Sequence, residues 1–215
     1  MSTKTQPIGR PKSEDKRRAI LESARELFLR DGYSTTSIET IAQHAGVGKP
    51  TIYSHFGSKR DLFVAVVGMR SEVLLAKLRA LGDPSDSPRK DLIMFAMVFQ
   101  QMILNPDARR WDRLVIGEAG RHPELAQTLF KAGPTRVLKK MQSYMQHQAD
   151  QGRLQIDDSA TAAEHFLGLI LGLELIRSLL ASQPRRTEAY RRERAERLVD
   201  VFLASYGIQE RDGNV

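Results

Sequence analysis

The stretch AGVGKPTIYSHFGSKRDLF, residues 45–63, decides how the first part of this chain folds. Gly46 ends one helix, and the next helix runs for only about two turns, from Lys49 to His55. Pro50 is tolerated there because the first turn of a helix leaves its N–H groups without intrahelical partners. A hydrophobic core has no need of so short a helix with so many hydroxyls and so much positive charge. We therefore expect its polar face to meet something narrow and negatively charged.

A helical wheel for residues 49–56 separates two faces. Ile52 and Phe56 fall together and are expected to face the core, while Tyr53 and His55 flank that apolar seam. The opposite side carries short or polar residues: Pro50, Thr51 and Ser54. This geometry is typical of the second helix of a helix-turn-helix, which enters the DNA major groove. The alternative is a polar helix on a solvated surface.

The uneven charge suits a polyanionic partner, either nucleic acid or an anionic membrane surface, and the alternative is a solvated basic tail. The 215 residues carry a formal net charge of +7, and residues 1–60 hold 11 Lys and Arg against 6 Asp and Glu, a net of +5. Cysteine is absent, which excludes disulfides and thiolate metal sites. The N-terminus lacks a signal-peptide core, and the longest apolar run, residues 166–173, is too short to span a bilayer. We expect a cytoplasmic protein that has no membrane partner.

The whole chain reads as an all-α protein in which no stretch alternates with the period of a strand. Residues 1–12 are expected to form a disordered basic arm, 13–60 a three-helix DNA-binding domain, and 61–215 a helical ligand-binding and dimerisation domain. Glycine and proline place helix boundaries after residue 82. The expected C-terminal helices are 88–104, 107–119, 123–132, 134–151, 159–182 and 187–206. Gly133-Pro134 is either a boundary or a kink within one helix.

The segment GYSTTSIETIAQHAGVGKPTIYSHFGSKRDLF, residues 32–63, resembles the DNA-binding domain of the TetR (tetracycline-repressor) family of bacterial regulators. The family pattern is close to G-[YF]-x-x-[TS]-[TS]-x-x-x-I-A-x-x-A-G-V-[SG]-x-[GP]-[TS]-[LIV]-Y-x-[HY]-F-x-[SN]-K-x-x-L, and nearly every fixed place agrees. One departure is Gly48, where many members have a capping serine; glycine is an acceptable N-cap. The resemblance implies a DNA-binding transcriptional regulator.

The same resemblance implies DNA contacts by position. Four residues would bind backbone phosphates: Thr36, Tyr53, His55 and Lys59. Four would meet base edges: Lys49, Pro50, Thr51 and Ser54, although Ser54 stands where the family often has an aromatic residue or histidine. Thr36 and Glu39 also have the spacing of a capping-box pair. Arg10 in the arm GRPK would enter an A·T-rich minor groove, unless the arm is only a solvated tail.

The C-terminal part resembles the AefR-like group of that family, from WDRLVIGEAGRHPEL to HFLGLILG. In TetR-like proteins these helices dimerise and bind a small effector, here expected to be hydrophobic or amphipathic. An apolar pocket is predicted from aromatic and methionine residues with one acid: Phe95, Phe99, Met102, Trp111, Glu118, Phe130, Met141 and Met145. The alternative for each is filled core. A dimer interface is predicted at Phe166, Gly168, Ile170, Gly172, Leu175, Leu198 and Phe202; the alternative is ordinary core within one chain.

Enzymatic function has no support among the residues. The five histidines lack metal-ligand spacing, and the chain has neither a glycine-rich phosphate loop nor a G-x-S-x-G motif. No cofactor and no metal site are expected. The sequence predicts a homodimeric regulator, a repressor that a small effector releases from a palindromic operator on double-stranded DNA. The alternative is an architectural protein that binds DNA without sequence preference.

Overall fold

A computed structural model of the protein describes residues 12–180 and 186–208. Within these ranges the regular secondary structure is entirely helical, which confirms the predicted all-α class. None of the helices in this part of the chain is long and apolar enough to cross a membrane. In chain order the helices are α1 Lys12–Asp31, α2 Ile38–His44, α3 Lys49–Phe56, α4 Lys59–Arg79, α5 Pro88–Ile103, α6 Pro106–Arg121, α7 Pro123–Ala132, α8 Pro134–Asp150, α9 Ser159–Leu180 and α10 Glu188–Tyr206.

Proline and glycine set most of these boundaries. Four successive helices begin with proline, α5 to α8, because that residue fits the first turn and cannot continue a preceding helix. Gly133 lies between α7 and α8 with φ −110° and ψ −94°, so Gly133-Pro134 is a boundary between two helices. The chain divides into two units, residues 1–67 and 68–215, and α4 contributes residues to both.

The first unit has a small core built from α1 to α4. One apolar face of each helix is buried, and the residues involved are Ile20, Ala24, Leu27, Phe28, Ile38, Ile41, Ala42, Ile52, Leu62, Phe63 and Val66. Phe28 and Phe63 meet edge to face, with ring centroids 5.3 Å apart, and Tyr33 packs against both rings. The apolar spacing in the sequence predicts this core because each helix has only one apolar face.

The second unit has a larger core made by the last turns of α4 with α5, α8, α9 and α10. Phe95, Phe166 and Phe202 form a chain of aromatic contacts through its centre. Gln100 on α5 is fully buried among these apolar side chains. Its amide is satisfied, since Nε2 donates to the Arg191 carbonyl at 3.2 Å and Oε1 accepts from Arg194 Nη1 at 3.1 Å.

Helix α9 is interrupted at Gly172, which has φ 41° and ψ −150°. A residue with a Cβ rarely adopts this backbone conformation, so glycine is required there. The break deprives nearby carbonyls of their helical N–H partners, and the Arg194 guanidinium of α10 replaces them, donating to Ile170 O at 2.7 Å and Leu169 O at 3.4 Å. The expectation of one regular helix over 159–182 is therefore corrected, because the helix is broken at Gly172.

Candidate DNA-binding surface and ligand cavity

The position of α3 is fixed by two glycines and one buried side chain. Gly46 takes φ 65° in the turn after α2, and Gly57 takes φ 80° where α3 ends. Gly48 is the N-cap and makes no side-chain hydrogen bond. Ile52 is the buried residue of α3, with none of its surface exposed, and Phe56 is only half-buried beneath the Arg17 guanidinium. The helix is thus held at one point and presents most of its surface outward.

The outward face of α3 contains the residues predicted to contact DNA. Lys49, Pro50, Tyr53 and Ser54 are exposed, and Thr51 and His55 are half-buried. This set combines an ammonium group, three hydroxyls and an imidazole on about two turns of helix. Such groups reach phosphate oxygens and base edges, and small side chains beside them permit close approach.

Lys49 at the first position of α3 is paired with Glu39 of α2. The ammonium donates to Glu39 Oε1, although half of each side chain stays exposed. The hydrogen bond from Lys49, helped by the backbone N–H of Glu39 and the Ser37 hydroxyl, lowers the pKa of the Glu39 carboxyl below its ordinary value. Glu39 was not among the predicted site residues. Its distance of ten residues from Lys49 gives no sequence signal for the contact.

Lys59, at the start of α4, lies beside the turn that precedes α2. Its Nζ donates to the Ser34 carbonyl at 3.2 Å and lies 4.5 Å from the centroid of the Tyr33 ring. These contacts orient the lysine while leaving it half-buried near the surface. The arrangement is compatible with the predicted phosphate contact.

Thr36 does not have the exposure that its predicted phosphate contact requires. Only 2% of its surface is exposed, and its hydroxyl donates to the Gly32 carbonyl at 2.7 Å. The N-cap of α2 is Ser37, whose Oγ accepts from the Thr40 N–H at 3.0 Å. The predicted phosphate contact of Thr36 is therefore wrong, because the residue is buried. The predicted Thr36–Glu39 capping box is also wrong, because the helix begins one residue later. The predicted minor-groove residue Arg10 lies outside the described residues.

The second unit contains a mainly apolar cavity of about 270 Å³. Its walls come from the end of α4, the following loop, the start of α5 and the middle of α8: Leu78, Leu81, Gly82, Asp83, Pro84, Asp91, Leu92, Met94, Phe95, Lys140, Met141, Ser143, Tyr144 and His147. Phe95 and Met141 are the two predicted pocket residues in this wall. Apolar walls with a few polar groups are typical of small-molecule sites.

The polar part of the wall is organised around Asp91. One carboxylate oxygen accepts from the Ser85 backbone N–H at 2.8 Å and from the Tyr144 hydroxyl at 3.3 Å, and the other accepts from the Ser85 hydroxyl at 2.7 Å. Gln148 supports the same loop by donating to the Ser85 carbonyl at 3.0 Å. Burial, and next the charge of Asp91, raise the pKa of the Tyr144 phenol, so it stays a neutral hydrogen-bond donor.

Six predicted pocket residues lie away from this wall. Phe99 and Met145 belong to the packed core, and Met102 packs against it. Trp111 and Glu118 are buried on α6, where Glu118 pairs with Arg121 at 2.9 Å. The pocket prediction is wrong for Phe130, which is 57% exposed on α7. The missed residues Tyr144 and His147 share a face of α8 with Met141, but helical spacing alone does not distinguish a cavity wall from a filled core.

The predicted dimer residues divide into two sets. Phe166, Ile170, Leu198 and Phe202 are buried inside their own protomer, so their prediction as interface residues is wrong. Gly168 and Gly172 are exposed on α9, and Leu175 is half-buried. The exposed side of α9 also carries large apolar residues that were not predicted: Leu169, Leu173, Ile176 and Leu180. We call Leu169, Leu173, Ile176 and Leu180 the outer face of α9.

A two-turn helix with a polar outward face after a short glycine turn, in a chain whose second unit is helical, is typical of a helix-turn-helix transcriptional regulator. Family models agree with this class: "Bacterial regulatory proteins, tetR family" matches residues 20–66, and "AefR-like transcriptional repressor, C-terminal domain" matches residues 90–208. The chain belongs to the TetR family. It binds DNA and regulates transcription, and is not an enzyme.

Individual proteins that are similar over most of the chain are also transcriptional regulators. The transcriptional regulator SrpR of Pseudomonas putida is 26% identical over 162 residues, which cover 75% of this chain and 74% of SrpR. A crystal structure of a TetR-family regulator from Mesorhizobium loti superposes with a TM-score of 0.80 at 28% identity, covering 93% of this chain and all of that one. The flavonoid-responsive regulator FrrA superposes with a TM-score of 0.72 at 26% identity, and the match covers 91% of this chain and 99% of FrrA.

Proposed function

We propose that the protein is a homodimeric repressor that a small apolar or amphipathic effector releases from a palindromic operator. The observation that carries the proposal is the exposed face of α3, where hydroxyl, imidazole and ammonium groups project from a two-turn helix held by Ile52. Lys49, Thr51 and Ser54 would read base edges, and Pro50 would contact them through its ring. Tyr53, His55 and Lys59 would bind phosphates.

The dimer would form through the outer face of α9. Four large apolar residues exposed along one helix are difficult to explain in a monomer, and a second copy buries them symmetrically. Gly168 and Gly172 would allow the backbones to approach between these side chains. Two recognition helices would then enter successive major grooves about 34–36 Å apart.

The effector would bind in the cavity between α4, α5 and α8. Its wall is mainly apolar, and the hydroxyl of Tyr144 beside Asp91 offers a polar group that a phenol or a similar hydroxyl could meet. FrrA is described as flavonoid-responsive, so flat polyphenols are the first class to test. Leu78 near the end of α4 lines the cavity, and Lys59, which would bind a phosphate, begins the same helix. A ligand that binds more tightly to one position of α4 would therefore change the affinity for DNA.

The test begins with selection of a duplex by the protein from a random-sequence library, followed by footprinting. The proposal requires a discrete palindrome with two protected half-sites about one helical turn apart. It also requires that a small apolar or amphipathic ligand, with flavonoids titrated first, releases the DNA from the complex. Uniform protection without a selected motif would instead support the architectural alternative.

A further inference from the structure

We propose that Glu39 restrains the Lys49 ammonium in the DNA-free protein, so that DNA must displace the carboxylate, and thereby lowers the affinity for the operator at least as much as the affinity for non-operator DNA. This inference rests on the proposed role of α3 as the helix that reads DNA. It assigns a role in setting the DNA affinity to a residue of α2 that makes no predicted base contact.

The geometry places an acid at the entrance of the recognition helix. Glu39 lies in the first turn of α2, and its carboxylate accepts a hydrogen bond from Lys49, the first residue of α3. The two side chains are 57% and 49% exposed respectively, so the pair lies on the surface that the helix-turn-helix presents. Neither group is needed to fill the core, and the partners can separate without unfolding either helix.

The capping arrangement explains why Glu39 is available for this contact. Ser37 caps α2 and bonds to the Thr40 N–H, so Glu39 is the second helical residue and not the third. A capping box would have turned its carboxylate back toward the N-cap. Here the carboxylate accepts from Lys49 of the neighbouring helix, in addition to the Ser37 hydroxyl and its own backbone N–H.

The pair affects two kinds of DNA differently. Binding to non-operator DNA depends almost wholly on phosphates, and each lysine that engages one releases a counterion. Glu39 competes with those phosphates for the Lys49 ammonium. At the operator, acceptors on base edges are positioned for the same ammonium, and they replace the carboxylate more completely. The operator complex therefore breaks the whole pair, whereas non-operator DNA can bind with the pair partly intact, so removal of the carboxylate charge should help the operator at least as much as non-operator DNA.

The experiment compares full-length variants on two duplexes, the one selected by the wild-type protein and a scrambled sequence of equal length. Glu39→Gln keeps the shape and removes the charge. Glu22→Gln is the matched control, because Glu22 is an exposed glutamate on α1 and its substitution changes the net charge equally. Lys49→Ala and the double variant Glu39→Gln/Lys49→Ala complete the cycle. Dissociation constants are measured over a range of salt concentrations.

We expect Glu39→Gln to bind the scrambled duplex about two- to fivefold more tightly than Glu22→Gln does, the range typical of an exposed ion pair. The slope of log affinity against log salt should steepen by about 0.9, the value for one more phosphate contact. The gain on the selected duplex should be at least as large. In the Lys49→Ala background, the Glu39 substitution should change nothing.

Three results would overturn the inference. Equal affinities and salt slopes for Glu39→Gln and Glu22→Gln would show that only net charge matters. An undiminished gain in the Lys49→Ala background would show that Glu39 repels phosphates directly and does not restrain the lysine. Unchanged affinity of Lys49→Ala on both duplexes would remove the proposed Lys49 contact together with this inference. Failure to select any duplex, by contrast, would contradict the site-specific regulator itself.

Discussion

Helices α3 and α9 are each central to one of the two units, and their side chains are distributed in opposite ways. On α3, Ile52 is the single buried residue, and the exposed side chains of the helix are mainly polar. On α9 both faces are apolar: Phe166 and Ile170 pack inside the protomer, while Leu173 and Ile176 are exposed. Polarity therefore distinguishes the face of α3 that we propose binds DNA. On α9, core and contact surface have the same composition, and only the fold distinguishes them.

The most severe test of this contrast is Leu173→Glu. Leu173 is 69% exposed, so a charge there should leave the protomer folded and disrupt a dimer formed through α9. Loss of the second half-site should reduce operator affinity about 100-fold or more. Phe130→Glu is the matched control, since Phe130 is 57% exposed on α7. Sedimentation reports the mass; a dimeric Leu173→Glu protein with full affinity would place the interface elsewhere.

Gly172→Leu is a poorer probe of the same interface. The φ of 41° at this position would strain any residue with a Cβ, and such a Cβ would lie 3.6 Å from Arg194 Nη2. A loss of dimer in that variant would not separate the contact from the backbone strain.

Ile52→Ala tests the other half of the comparison, the single anchor of α3. Removal of a fully buried isoleucine should cost about 2–5 kcal/mol in the free energy of unfolding. The first unit should melt at lower temperature, and operator binding should weaken with it. The neighbouring Tyr53→Phe variant, exposed and close in size, serves as the control in the same thermal melt. Equal melting of the two proteins would mean that α3 does not depend on Ile52.

Tyr144→Phe examines the polar wall of the cavity. It keeps the ring and removes the hydroxyl that donates to Asp91. The affinity for a phenolic ligand, measured by calorimetry with a flavonoid panel, should fall about two- to tenfold. Tyr190→Phe, away from this cavity, should have no effect. Because burial and Asp91 raise the pKa of the Tyr144 phenol, the wild-type affinity should receive no contribution from its ionisation up to about pH 9.

The smallest expected effect belongs to Tyr53→Phe in DNA binding. The phenol is proposed to bind a phosphate, which carries no direct sequence information. Affinity should fall by about two- to tenfold to a similar degree for every single-base variant of the selected duplex. Titration of the protein with each of these duplex variants would measure the change in affinity. A changed order of base preference would assign Tyr53 to a base edge.

Most helix boundaries could be predicted from the sequence. Proline begins α5 to α8, glycine ends α3, and the apolar period of α1 and α2 identifies their buried faces. These features act within a few residues of where they occur, so no knowledge of the fold is needed. The recognition helix could be predicted for the same reason. Its polar face is visible as a departure from the apolar pattern.

Errors arose where a property depends on neighbours distant in the chain. Thr36 looked like an exposed hydroxyl, and only packing of its turn against α1 shows that it is buried. Phe166 and Leu173 are both apolar residues of α9, yet one is enclosed and the other exposed.

The sequence by itself determined the helical class, the two-part organisation of motifs and the polar face of α3 that we propose reads DNA, because local periodicity and turn residues encode them. The tertiary structure alone decided the break at Gly172, the pairing of Glu39 with Lys49, and the cavity wall of Asp91 and Tyr144. Each of these joins residues from different helices. Burial and hydrogen bonding between helices depend on how the helices pack, and that arrangement is a property of the whole chain.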